Sequence, residues 1–182
     1  MAEKKLIISC GDPAGCGSQI TVDALTRLAF KKNSICLVGS ENILNHYPAF
    51  KPLKKRVELI NVEAGPITLG VATRQSGMAA INYLRTALKV MATEKIKALV
   101  TAPVSKEAIQ LSDKNFCGHT EFLADYFKVS CPVMMMVSPA IKIVLFTRHI
   151  ALNKVKGEFR RAALINMLQI VHRALKNNFN LK

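Results

Sequence analysis

The sequence predicts an α/β fold, a mixed sheet with helices on both faces, and three observations carry that expectation. Short apolar runs alternate with segments of helical period along the whole chain. Three of the runs, Lys5–Cys10 (KLIISC), Ser34–Gly39 (SICLVG) and Lys97–Ala102 (KALVTA), stop at a Gly or a Pro. Two later runs are separated only by Ser138-Pro139-Ala140, which leaves no space for a crossover helix and predicts an antiparallel hairpin.

Taken in order, Lys5–Cys10 is a buried strand running into the turn GDPAGCG. Ile20, Ala24, Leu25 and Leu28 then repeat at helical spacing. Ser34–Gly39 is a second buried strand, and Val57–Val62 alternates enough to be an edge strand. Gly65–Gly70 is a loop, and a long helix from Ala72 turns Ala79, Ile81, Leu84, Leu88 and Met91 toward the core. Lys97–Ala102 gives a third central strand ended by Pro103, followed by helix at Ser105–Leu111. A short helix spans about Glu121 to Phe127, and the hairpin strands are Val133–Val137 and Ile141–Thr147. The last element is a basic helix carrying Leu164, Met167, Leu168, Val171 and Leu175. The closing NNFNLK reads as a turn toward another strand, so the expectation is a fold incomplete at the C-terminus.

A chain of 182 residues suffices for one domain with a proper core or for two small lobes. Its 50% hydrophobic and 21% charged residues exclude a disordered chain. No segment reaches the roughly 18 apolar residues of a membrane span, and MAEKKLIISCGDPAG breaks too early for a signal peptide. A cytoplasmic protein with no membrane partner is expected. Cys10, Cys16, Cys36, Cys117 and Cys131 form an odd set without C-x-x-C spacing, which fits reduced thiols better than disulfides or a zinc ribbon. The net charge of +14 would suit a nucleic-acid binder, but the basic residues are scattered and no aromatic-interleaved stripe accompanies them. No specific nucleic-acid partner is expected.

Four segments carry candidate chemistry. Gly11–Gly17 places glycines and Asp12 at a strand end, either for close approach to a ligand or as a plain turn. Thr101–Lys106 delivers Lys106 where it can meet an anion; otherwise Ser105 is a helix cap and Lys106 a surface charge. In Gly118-His119-Thr120-Glu121, Thr120 can cap a helix, whereas His119 can hydrogen-bond a phosphate or move a proton. His149 follows the strand IKIVLFT beside Arg148, a position for a metal ligand or for a structural histidine. His46 and His172 are assigned no role.

Together, GDPAGCG, TAPVSK, GHTEFLAD and FTRHIAL resemble the 4-phosphohydroxythreonine dehydrogenase family in residue type, order and spacing. The family hallmarks are a G-E/D-P-A-G-I-G turn, a G/A-P-x-x-K segment, G-H-T-E and T-x-H-x-x-L; GPITLGVATRQSGMAAINYL also looks like the family's link into a long helix. The resemblance implies an isocitrate/isopropylmalate dehydrogenase type of fold, with residues 1–112 forming most of a first lobe. Residues 113–182 would begin the second, cleft- and dimer-forming lobe. It implies a homodimer when full length, and oxidation of a small phosphorylated amino-acid substrate by NAD or NADP followed by decarboxylation. It also implies a divalent metal (zinc, magnesium or cobalt) that polarises the alcohol and the developing carbonyl oxygen. His119 and Thr120 match the family's substrate-binding pair, and His149 the first of three metal histidines. Lys106 and Asp12 fall in cleft-lining motifs. Cys16 and Cys117 depart from the pattern, where an apolar branched residue and Thr are usual.

The family's other two metal histidines, in N-P-H-A-G-E and Y-H-D-Q-G segments, have no counterpart in these 182 residues. One imidazole is too few for tight divalent binding, so the expectation is a chain without dehydrogenase activity of its own. Three alternatives stay open: a binding module for a phosphorylated metabolite, a basic nucleic-acid-associated protein, and a relative acting on a threonate or erythronate phosphate.

Overall fold

The computed structural model describes residues 6–148 and 150–181. Two compact units follow each other along the chain, Met1–His119 and Thr120–Lys182.

The first unit is built on four strands, β1 (Leu6–Ser9), β2 (Ile35–Gly39), β3 (Glu58–Asn61) and β4 (Ala98–Thr101), in the order β3-β2-β1-β4. All pairings are parallel, with Ile7 opposite Cys36 on one side and Leu99 on the other. The connections explain this. Helix α1 (Gly17–Arg27) joins β1 to β2, and two short helices, α2 (Glu41–Leu44) and α3 (Phe50–Leu53), precede β3. The long α4 (Arg74–Glu94) precedes β4. Each link is long enough to bring the chain back before the next strand starts, so the strands run the same way. β2 is buried at all five positions, which is why its sequence runs ICLVG without alternation. β3 is the half-buried edge strand that its sequence predicts.

Ile7, Leu37, Leu44, Phe50 and Tyr83 are fully buried in one continuous core. Each such side chain stabilises the fold by about 1.5–3 kcal/mol relative to exposure. α4 opens on a capping box, in which the Ser76 N–H donates to Thr73 Oγ1 and the Thr73 N–H donates to Ser76 Oγ. It buries Ala79, Ile81, Leu84 and Leu88 as expected, with Met91 half-buried. α1 differs from its sequence pattern: Ile20 and Leu28 are exposed, and Thr21, Val22 and Leu25 face inward. Thr21 can face the core because its hydroxyl donates to the Gly17 carbonyl at 2.8 Å. A further helix, α5 (Lys106–Gln110), follows β4 and packs on α4.

The second unit contains α6 (His119–Tyr126), whose first residue closes the first unit, and then β5 (Met134–Val137) and β6 (Lys142–Leu145). These two strands pair antiparallel, as their short four-residue link requires, with Met134 opposite Leu145. The Ser138 N–H donates to the Ile141 carbonyl at 2.9 Å and closes the turn. The single mixed sheet expected from the sequence is corrected here: the parallel strands form one sheet and the hairpin another. A short link satisfies strand pairing locally, so the hairpin needs no place on the edge of the parallel sheet. Helices α7 (Val155–Glu158) and α8 (Arg161–Phe179) complete the unit. Among its described residues only Met167 is buried.

Candidate functional site

From β1 the sheet grows toward β2 and β3 on one side and receives β4 on the other. In open α/β sheets that reversal leaves a crevice at the carboxyl ends of the two strands where the order splits. Here those strands are β1 and β4, and they lead into the segments containing Asp12 and Lys106.

The two segments are locked together. The Ala102 N–H donates to the Ser9 carbonyl at 2.9 Å, and the Asp12 N–H donates to the Pro103 carbonyl at 3.0 Å. Gly11 sits at φ +72°, and a Cβ there would lie 2.2 Å from the Pro103 oxygen, so only glycine permits this approach. Asp12 is 4% exposed, and its Oδ1 accepts the Ala14 N–H at 2.8 Å. At least one of its oxygens therefore holds the turn rather than facing a ligand. Ser105 caps α5, its Oγ accepting the Ala108 N–H at 3.1 Å, and Lys106 begins that helix with an exposed side chain.

His119 is half-buried at the start of α6. Burial lowers its pKa below the ordinary 6.5, and the positive charge of Lys106 lowers it further. A neutral imidazole within the electrostatic reach of a lysine offers one ring N–H donor and one acceptor, which suits an oxyanion or a hydroxyl. The Phe116 ring meets the imidazole edge-on, with centroids 6.5 Å apart and planes at 80°. Phe116 itself is 3% exposed, and its carbonyl accepts the Gln110 Nε2 hydrogen at 3.0 Å. Sequence reasoning did not reach Gln110 or Phe116, because a contact to a carbonyl leaves no mark on residue type.

Thr120 follows His119 in the first turn of α6, half-buried and inside the helix rather than capping it. The helix starts two residues earlier than the sequence indicates. His149 lies outside the described residues. Beside it, the Arg148 guanidinium donates through Nη1 to the Pro132 carbonyl, while its buried Nε has no hydrogen-bond partner among the described residues. Arg148, Cys131, Thr147, Glu158 and Met167 help line a cavity of about 310 Å³ within the second unit.

Deeper in the first unit, burial pushes the Cys10 thiol up to about 12 and holds the Tyr83 phenol well above its usual range. These are inert, protonated core groups. All five cysteines are free, as their spacing predicts. One group among the described residues has metal-ligand geometry, Cys36, Glu58 and Glu94. Cys36 and Glu58 stand at the amino ends of β2 and β3, the far end of the sheet from Asp12 and Lys106, and all three side chains have other interactions. This set of one thiol and two carboxylates does not match a three-histidine site.

Residues 9–182 match the family model described as pyridoxal phosphate biosynthetic protein PdxA. A protein of Sulfurihydrogenibium sp. named 4-hydroxythreonine-4-phosphate dehydrogenase is 28% identical, over 97% of this chain and 59% of its own. A protein of Oceanobacillus iheyensis with the provisional name D-threonate 4-phosphate dehydrogenase is 30% identical, over 98% of this chain and 60% of its own. Among solved structures, the 4-hydroxythreonine-4-phosphate dehydrogenase of Klebsiella pneumoniae superposes with a TM-score of 0.84 at 22% identity, covering 96% of this chain and 59% of that one. At that identity the superposition establishes the α/β fold alone. The chain thus spans about 60% of the length of the relatives it matches. Because the family match covers nearly the whole of it, the chain belongs to the family of the pyridoxal phosphate biosynthetic protein PdxA.

Proposed function

We propose that this chain forms the phosphorylated-substrate-binding part of a dehydrogenase that oxidises 4-phosphohydroxy-L-threonine and decarboxylates the product, in vitamin B6 biosynthesis. The observation that carries this is a half-buried His119 braced edge-on by Phe116, with its proton affinity lowered by burial and by the charge of Lys106. Lys106 attracts the anionic groups of the substrate, and neutral His119 hydrogen-bonds an oxygen of the substrate without adding charge. Thr120 supplies a hydroxyl from the next position of the same helix, and Asp12 shapes the turn above β1.

NAD or NADP would take up the hydride, and a divalent ion held by His149 with further ligands would polarise the alcohol oxygen. With a single candidate histidine ligand, the 182-residue chain binds its substrate without turning it over. The full-length protein acts as a homodimer with an isocitrate dehydrogenase-like cleft. A second substrate, a four-carbon phosphorylated hydroxy acid, is favoured by the Oceanobacillus relative's name. It shares the phosphate and the vicinal oxygens that Lys106 and His119 would recognise.

Calorimetric titration tests this. The chain should bind 4-phosphohydroxy-L-threonine, and His119→Ala should weaken binding by roughly tenfold or more, as loss of a buried polar contact does. Binding unaffected by His119→Ala, or NAD reduction by the purified chain, would contradict the assignment.

A further inference from the structure

His119 reaches its place through a short relay of contacts that begins on another helix. α5 packs on α4 so closely that a Cβ on Gly77 would meet the Ala108 backbone. From the last residue of this anchored helix, Gln110 extends an exposed side chain and donates to the Phe116 carbonyl at 3.0 Å. The Phe116 N–H donates to the Asp113 carbonyl at 3.1 Å, and the Asn115 N–H to the Asp113 carboxylate at 3.1 Å. The loop is therefore folded against itself and tied to α5. Its buried aromatic ring then covers one side of the imidazole, three residues along the chain.

We propose that Gln110 and Phe116 are positioning residues, which hold the His119 imidazole at the angle and burial it needs to hydrogen-bond a phosphorylated hydroxy acid. This rests on the substrate-binding role of His119 proposed above. The same five-residue helix thus supplies Lys106 at one end and the brace for His119 at the other. Neither support touches the ligand. A loss of the Gln110 bond frees the Phe116 carbonyl, lets the ring tilt, and exposes the imidazole to water.

The experiment compares the 182-residue chain with Gln110→Met, which keeps volume but has no donor, and with Phe116→Leu. The His119 ring is titrated by NMR, and binding of 4-phosphohydroxy-L-threonine is measured by calorimetry; urea unfolding confirms that each variant folds. Gln110→Met should weaken binding about fivefold, the worth of the one His119–ligand hydrogen bond that the brace aligns, and raise the His119 midpoint toward 6.5. Phe116→Leu should move both in the same direction. If both variants fold and leave titration and affinity unchanged, the brace does not exist. If the unsubstituted chain binds no ester yet the midpoint still moves, the brace stands and the substrate assignment falls.

Discussion

His119 has its proton affinity lowered by two separable causes, burial first and the charge of Lys106 second. Removing only the second gives a clean test. Lys106→Met should raise the NMR titration midpoint of His119 part of the way to 6.5, since the burial remains. An unchanged midpoint would show that Lys106 does not act on the ring. The sign of the pH effect on stability follows from the same direction. Below about pH 6.5 an unfolded histidine takes up a proton that the folded one still refuses. Stability contributed by neutral His119 is therefore complete above that pH and is lost as the pH falls through the folded value. Asp12 spends at least one of its oxygens on its own turn, whatever else it meets in the cleft motif.

At the scale of elements, the contact between α4 and α5 decides whether Lys106 and Gln110 are presented together. A Cβ on Gly77 would lie 2.1 Å from the Ala108 oxygen and 2.6 Å from the Ile109 nitrogen. Gly77→Ala improves helix propensity by about 1 kcal/mol. The clash is with backbone atoms that cannot rotate aside, and overpacking of this kind costs about 1–3 kcal/mol. Overpacking should win, so urea unfolding should show a net loss of stability, and a stabilised variant would mean that the helices separate easily. α4 was legible in the sequence because its apolar residues recur at helical spacing along its 21 positions, whereas its Thr73–Ser76 capping box was not read. The hairpin was legible because a link this short leaves room only for antiparallel pairing. The inward face of α1 was not, since Thr21 enters the core only after satisfying itself on its own backbone. The Gln110 brace was hidden for a related reason: its acceptor is a carbonyl that any residue at position 116 would provide.

Across the whole molecule, the family was readable from four short motifs in a fixed order, whereas the meeting of the first two needed the sheet to assemble β1 beside β4. Burial is distributed unevenly between the two units. The first has a continuous core running from Ile7 through Phe50 and Tyr83 to Ile96. In the second, Met136, Val137, Ile141 and Ile143 on the hairpin are exposed, as are Ile165 and Leu168 on α8. Hydrogen bonds that lack apolar cover open locally at little cost in free energy. Hydrogen–deuterium exchange on the 182-residue chain should therefore protect peptides from β1, β2 and the buried stretch of α4 for far longer than peptides from 134–145 and 161–179. Protection of the hairpin equal to that of β2 would show that its apolar side chains are covered in solution. Repeating the exchange at several protein concentrations then separates the sources. Cover by a second copy rises with concentration, in keeping with the proposed homodimer, whereas cover from within one chain does not.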